Sequence, residues 1–259
     1  MANRDGLQST EQSIYVSKSS DIYGGGPKMN RKRMAARIVG ASFLFSNATF
    51  LVGAFVFLEP ILSAPDYLAL ASANRAQVIS GALLELANGV AYLAIAAVMF
   101  AILRGRFPSM AIGYVGFRII EFVMQTLSDL SPLSLVTLSE AFVRAGAAEA
   151  SSFHTAGTLL LAQRSWAFQM VSITLALGAL LLYTMLYRSK LIPRFVSIWG
   201  LVGAITVLTT TMLDIFALSV SPAIGLVLGL PMLLNELFLG VWLIAKGFNP
   251  SAVASLSAE

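Results

Sequence analysis

Four polar residues stand in an apolar stretch long enough to cross a bilayer: Arg118, Glu121, Gln125 and Asp129. Their spacings of three, four and four place all of them on one face of a helix. A charge at the bilayer centre costs about 3 kcal/mol on insertion scales, so this stripe must face other helices or water. An arginine one turn before a glutamate can neutralise it, or can hold an anionic group while a carboxylate handles a proton. Asn235 and Glu236 lie near the middle of a second apolar run, at a depth similar to Arg118 and Glu121. Two glutamates and one arginine cannot be matched one to one there. Either a second cation reaches them or one carboxylate carries a proton.

Further polar groups lie nearer the helix ends, where they cost less. Glu85 and Asn88 are three apart on one stripe with Gly81 and Tyr92, and Thr210 and Asp214 share a face of a later run. Asp129 falls near an interface. Arg164 and Gln163 open another run beside Trp166, where interface and interior are both open to them. If these groups converge, they form a polar cleft running from mid-membrane towards one surface. The alternative is that they act as glue, since polar pairs between spans contribute about 1 kcal/mol or less each.

Composition sets the solvent these elements must meet. Apolar residues make up 57% of the 259 and charged residues 12%, about half the share usual in a soluble protein. The formal charge of +4 does not point to nucleic acid, because the basic residues flank apolar runs and form no recognition element. The lipid bilayer is the implied partner. Without cysteine there is no disulfide, thiolate metal site or cysteine nucleophile.

Residues 1–30 are polar, with Ser-Lys-Ser-Ser and Gly-Gly-Gly-Pro, and read as a disordered or leader segment with Met29 a plausible start. Residues 31–248 then read as one membrane domain. Arg31-Lys-Arg before an apolar run is also how a signal peptide begins, but this run exceeds the ~15 residues of a signal's apolar core. It reads as the first of six spans, at about 38–58, 76–103, 110–130, 160–187, 195–218 and 223–245. Each is near the ~20 residues a bilayer requires. Between spans three and four, Thr137-x-x-Glu140 has the form of a capping box opening a short surface helix. Gly225-x-x-x-Gly229 reads as a close-packing site, and residues 249–259 as a polar tail. Lys and Arg concentrate beside residues 31–37, 104–106, 188–194 and 246, against only Arg75 and Arg144 on the other side. That bias predicts both termini in the cytoplasm. The expected fold is an all-α, polytopic helical bundle.

Several motifs resemble the bacterial membrane proteins catalogued as domain of unknown function 4386. They are Arg37-Ile-Val-Gly, Arg118-x-x-Glu121, Tyr187-Arg-Ser-Lys-Leu-Ile-Pro-Arg194, Trp199-Gly200 and Glu236-Leu-x-x-Gly-x-Trp-Leu-Ile-x-Lys-Gly-Phe248. The resemblance covers about residues 29–248 and implies a multi-pass protein of a bacterial inner membrane. It transfers no activity.

Named chemistries fall away on the residues. A retinal Schiff base needs a mid-membrane lysine, whereas Lys190 and Lys246 lie at helix ends. His154 is the only histidine, too few for a zinc site, and no cofactor motif or phosphate loop is present. The sequence therefore points away from an enzyme. The expected function is a small-solute or proton-coupled transporter, or a solute-binding protein. Its candidate site comprises Arg118, Glu121, Gln125, Asn235, Glu236, Glu85, Asn88 and Asp214, with a small molecule or ion as ligand. The alternatives are a membrane sensor whose ion pairs are structural, and a lipid-modifying enzyme using paired carboxylates.

Overall fold

A computed structural model describes residues 27–145, 150–218 and 222–256. Every regular element among them is helical. In chain order these are α1 (Pro27–Leu51), prolonged by a π-helical segment (Val52–Leu58) and the short α2 (Glu59–Leu62), α3 (Tyr67–Ala73), α4 (Arg75–Leu103) and α5 (Pro108–Ala145). They are followed by α6 (Ala150–Ser189), α7 (Arg194–Ile215), α8 (Pro222–Ala245) and α9 (Pro250–Leu256). Six stretches are long and apolar enough to cross a membrane, with mean hydropathy from 1.3 to 2.2. The protein is a multi-pass helical bundle.

The bundle reverses the burial pattern of a soluble protein. Arg118, Glu121 and Gln125 are buried, whereas Ile119, Ile120 and Val123 on the same helix are exposed. A lipid solvent makes that arrangement favourable, because apolar side chains lose nothing there and charges must be matched inside.

The third and fourth spans depart most from the sequence expectation. With 38 and 40 residues, α5 and α6 are about 57 and 60 Å long at 1.5 Å per residue. That is about twice the hydrocarbon thickness. Thr137 and Glu140 do not open a new helix but lie inside α5. Glu140 reaches across to Arg75 in an exposed ion pair instead of capping a backbone N–H. The far part of α5 shares a small core with the π-helical segment, α2, α3 and the start of α4. Leu58, Ile61, Leu68, Val78, Leu135 and Val136 pack there. Ser139 ties α3 to α5 by donating its hydroxyl to the Leu68 carbonyl and accepting the Ser72 N–H at 2.8 Å.

At the opposite, basic end the expected tail is also structured. Ala252, Val253 and Leu256 of α9 are buried beneath the bundle, and the Asn249 N–H donates to the Leu191 carbonyl at 2.9 Å. At the other terminus α1 begins at Pro27, inside the segment read as polar and disordered; residues 1–26 lie outside the described residues.

Two close approaches at glycines fix where α1 and its π-helical continuation lie. A Cβ on Gly40 would stand 2.6 Å from the Gly240 carbonyl, and one on Gly240 would stand 3.0 Å from the Gly40 carbonyl. A Cβ on Gly81 of α4 would stand 2.7 Å from Leu58 Cγ. Small residues at such crossings let helices meet where no hydrophobic force drives them together. By contrast, a Cβ on Gly225 or Gly229 would meet nothing within 4 Å among the described residues, so among them this pair is not the packing site its spacing suggested. Replacing Gly240 by Val should force α1 and α8 apart, at about 1–3 kcal/mol. A lower Tm in detergent than wild type, with Gly229→Val close to wild type, is the expected result.

Candidate functional site

Closing α1 onto α4 and α8 leaves a cavity of about 340 Å³ in the middle of the bundle. Its apolar wall is aromatic. Phe50 stacks on Phe168 at 6.0 Å and meets Phe55 edge-on at 6.3 Å, with Phe43 continuing the wall. Its polar side gathers Asn88, Arg118, Glu121, Gln125 and Glu236 with Ser46, Asn47 and Tyr92. Five of the eight residues expected from sequence thus share one cavity.

The charges within it are distributed unevenly. Arg118 Nη1 donates to both carboxylate oxygens of Glu121 at 3.0 Å each. The pair lies one helical turn apart on α5, and both side chains are almost fully buried. The Arg118 guanidinium is also sandwiched by the Tyr92 and Tyr114 rings at 5.3 and 5.5 Å, which adds cation–π attraction. This cation makes its ion pair with Glu121, while its charge also reaches Glu236. Glu236, half-buried against the cavity, receives the side-chain N–H of Asn47 at 3.1 Å. Asn47 is itself held by a bond to the Phe43 carbonyl at 2.9 Å. No ion pair to Glu236 is present among the described residues. With Arg118 and Glu121 cancelling, the cavity retains one carboxylate supported by an amide. Nearby, the Tyr92 hydroxyl is buried without a hydrogen-bond partner among the described residues. Asn88 accepts the Ser46 hydroxyl at 2.5 Å, tying α4 to α1.

Glu85 belongs to a second cluster behind the cavity. Its carboxylate takes Arg164 Nη2 at 2.8 and 3.0 Å. Gln125 Nε2 donates to both Glu85 and Asp129 at 3.1 Å, and Asp129 lies 3.5 Å from Arg164 Nη1. The Arg164 position has a local cause. Pro132 sits inside α5 and lacks the N–H that would bond the carbonyl four residues earlier. That carbonyl belongs to Ser128, and Arg164 Nη1 approaches it at 3.4 Å while Ser128 Oγ donates back to the Arg164 carbonyl at 3.3 Å. Proline thus frees an acceptor inside the bundle, and a guanidinium from α6 occupies it. Gln125 lines the cavity and bridges this cluster, so the two are physically continuous.

Two expected residues do not join either group. Asn235 Nδ2 donates to the Val196 carbonyl at 2.9 Å, bracing α8 against the start of α7. Adjacent positions on a helix point about 100° apart, which is why Asn235 and Glu236 face different neighbours. Asp214 is exposed in the last turn of α7. Conversely, Asn47, Ser46 and Arg164 were not among the expected site residues. Ser46, Asn47 and Thr49 interrupt the first apolar run, a signal comparable to that of Asn88. Among the described residues no group of three or more His, Asp and Glu side chains is arranged to hold a metal ion, and His154 is exposed between the Tyr67 and Phe142 rings.

The family model described as "Domain of unknown function (DUF4386)" matches residues 38–247. That range contains every residue of the cavity and of the Arg164 cluster. No curated protein matches the chain, and no solved structure does either.

Removing one partner of a buried ion pair leaves an uncompensated charge, at about 3–5 kcal/mol. Arg164→Met should therefore lower the Tm in detergent strongly. Adding Glu85→Gln to it should restore much of the loss, because the stranded charge is gone. Equal Tm values for the single and double variants would contradict this pairing.

Proposed function

The chain belongs to the DUF4386 family, which brings no assigned activity, and we propose from its cavity that it moves or binds a small cationic solute, with proton exchange at Glu236. The observation that carries this reading is the charge imbalance. Arg118 pairs with Glu121, and Glu236 faces the same space with the Asn47 amide as its one hydrogen-bond partner and no ion pair among the described residues. A carboxylate in a low-dielectric site is stabilised by a cation, or else gives up its charge by taking a proton. Those two states exclude each other at one carboxylate, which is the elementary requirement for exchanging a solute against a proton. The Phe50, Phe55 and Phe168 rings would meet the apolar part of such a solute, and aromatic faces attract cations as well. A volume of about 340 Å³ is at the small end of ligand cavities.

The Glu85–Arg164–Asp129 cluster favours the structural reading for its own members. Its groups bond one another, and they join α4, α5 and α6 rather than line the cavity. Gln125 would then hold the cavity wall against this rigid support. On the basic bias of one end of the bundle, that end faces the cytoplasm. The fit to a bacterial inner membrane rests on the motif resemblance.

The test uses proteoliposomes with a trapped pH-sensitive dye and benzyltrimethylammonium as a small, permanently charged aromatic probe. Wild type should move protons when the probe is placed on one side. Glu236→Gln should reduce that flux at least tenfold while keeping the wild-type Tm. Glu140→Gln, far from the cavity, should leave it unchanged. Probe-independent proton movement in wild type, or full flux in Glu236→Gln, would overturn the proposal.

A further inference from the structure

A second recess, of about 500 Å³, opens at the basic end between the α6–α7 turn and the chain leaving α8. Lys190, Arg194 and Lys246 line it, together with Trp242 and Phe248. They come from three places in the chain: the turn after α6, the first residue of α7 and the residue after α8. No carboxylate lines the recess, and no ion pair engages these three cations among the described residues.

We propose that this recess binds the phosphate headgroup of an anionic membrane lipid. A basic bias along one end of a membrane protein requires only that the cations stand on that side. It does not require three of them to surround one recess. Of their neighbours, Arg104, Arg106 and Arg188 lie over the Phe100 and Phe107 rings, and Arg104 lines a separate recess with Arg31 and Lys32. Arg194 also rests on a ring, that of Tyr187 at 5.2 Å, yet it lines the recess. Stacking uses the face of a guanidinium and leaves its in-plane N–H groups available for phosphate oxygens.

The backbone of the recess is built rather than loose. Lys190 adopts φ 56° and Gly247 φ 75°, reversing the chain at both rims. Asn249 joins them by donating its backbone N–H to Leu191 at 2.9 Å and its side-chain N–H to Lys190 at 3.3 Å. Both loops are thereby held around one space.

The apolar side of the recess identifies the source of the phosphate. Trp242 stacks on Phe238 at 6.0 Å, and Phe238 in turn meets Trp199 and Phe195 at 5.9 and 5.8 Å. Phe195 and Phe238 are exposed on the bundle exterior. A cationic pocket thus continues into an aromatic strip along the lipid-facing surface. A phospholipid presents the same sequence of groups, with a charged head at the interface and an acyl chain beside it. Free phosphate would use only the first part.

The variant Trp166→Phe/Trp199→Phe leaves Trp242 as the only tryptophan, and its fluorescence reports lipids whose acyl chains carry bromine. In vesicles mixing brominated phosphatidylglycerol with unlabelled phosphatidylcholine, quenching should exceed that from brominated phosphatidylcholine at equal fraction. Each basic residue near an anionic surface contributes about a fivefold preference. Lys190→Gln/Arg194→Gln/Lys246→Gln should therefore lower the preference roughly a hundredfold, whereas Lys190→Arg/Arg194→Lys/Lys246→Arg should retain it. Equal quenching by the two lipids, or an unchanged preference in the neutral variant, would overturn the proposal. Loss of the preference on adding inorganic phosphate at constant ionic strength would do so as well, since the site would then take free phosphate.

Discussion

Burying charge where water cannot follow is the constraint on which this structure turns. The Arg118–Glu121 pair meets it at the centre of the bundle. One nitrogen bonds both carboxylate oxygens at 3.0 Å, and two tyrosine rings flank the guanidinium. The arginine also attracts Glu236 electrostatically and keeps a buried Nε without a hydrogen-bond partner among the described residues, but its only ion pair among those residues is with Glu121. Glu236 therefore faces the cavity as its unmatched charge, and the polar residues around it take their significance from that. The exposed apolar faces of α5, α7 and α8 are the same constraint seen from outside.

The second cluster answers the constraint in another way. Pro132 breaks the hydrogen-bond ladder of α5 and frees an acceptor at Ser128, and Arg164 serves that acceptor together with two carboxylates. A group introduced by a helix defect thereby becomes an anchor among three helices. Gln125 belongs to both regions. It lines the cavity and donates to Glu85 and Asp129. Any movement of α5 against α4 would change the support of the cavity wall through this one amide. The Gly40–Gly240 approach does the same on the other side. It brings α1 close enough to α8 for Asn47 to reach Glu236.

Sequence periodicity carries depth and face well, because both follow from rise and angle per residue. The six spans and the Arg118–Glu121–Gln125 stripe were legible for that reason, and the family match agrees with the motifs that resembled it. Periodicity does not carry which neighbour a face meets. Asn235 was grouped with Glu236 on depth, yet a 100° step turns it to Val196. Asp214 shared a face with Thr210 but stands exposed at the end of α7. Thr137-x-x-Glu140 had the spacing of a cap, but Glu140 finds Arg75 and the helix runs on. Asn47 and Arg164 gain their roles only when α1 and α6 are packed, through contacts 189 and 79 residues away in sequence. No spacing within either helix encodes those partners.

Glu236 is proposed as the carboxylate that exchanges its charge, while Glu121 and Glu85 are each held by an arginine. Dicyclohexylcarbodiimide tests this directly, since it reacts with a carboxyl that takes up a proton in an apolar site. Peptide mass spectrometry after labelling the purified protein should find the adduct at Glu236, with labelling reduced by benzyltrimethylammonium. An adduct at Glu121 or Glu85 with Glu236 unmodified would contradict this role for Glu236.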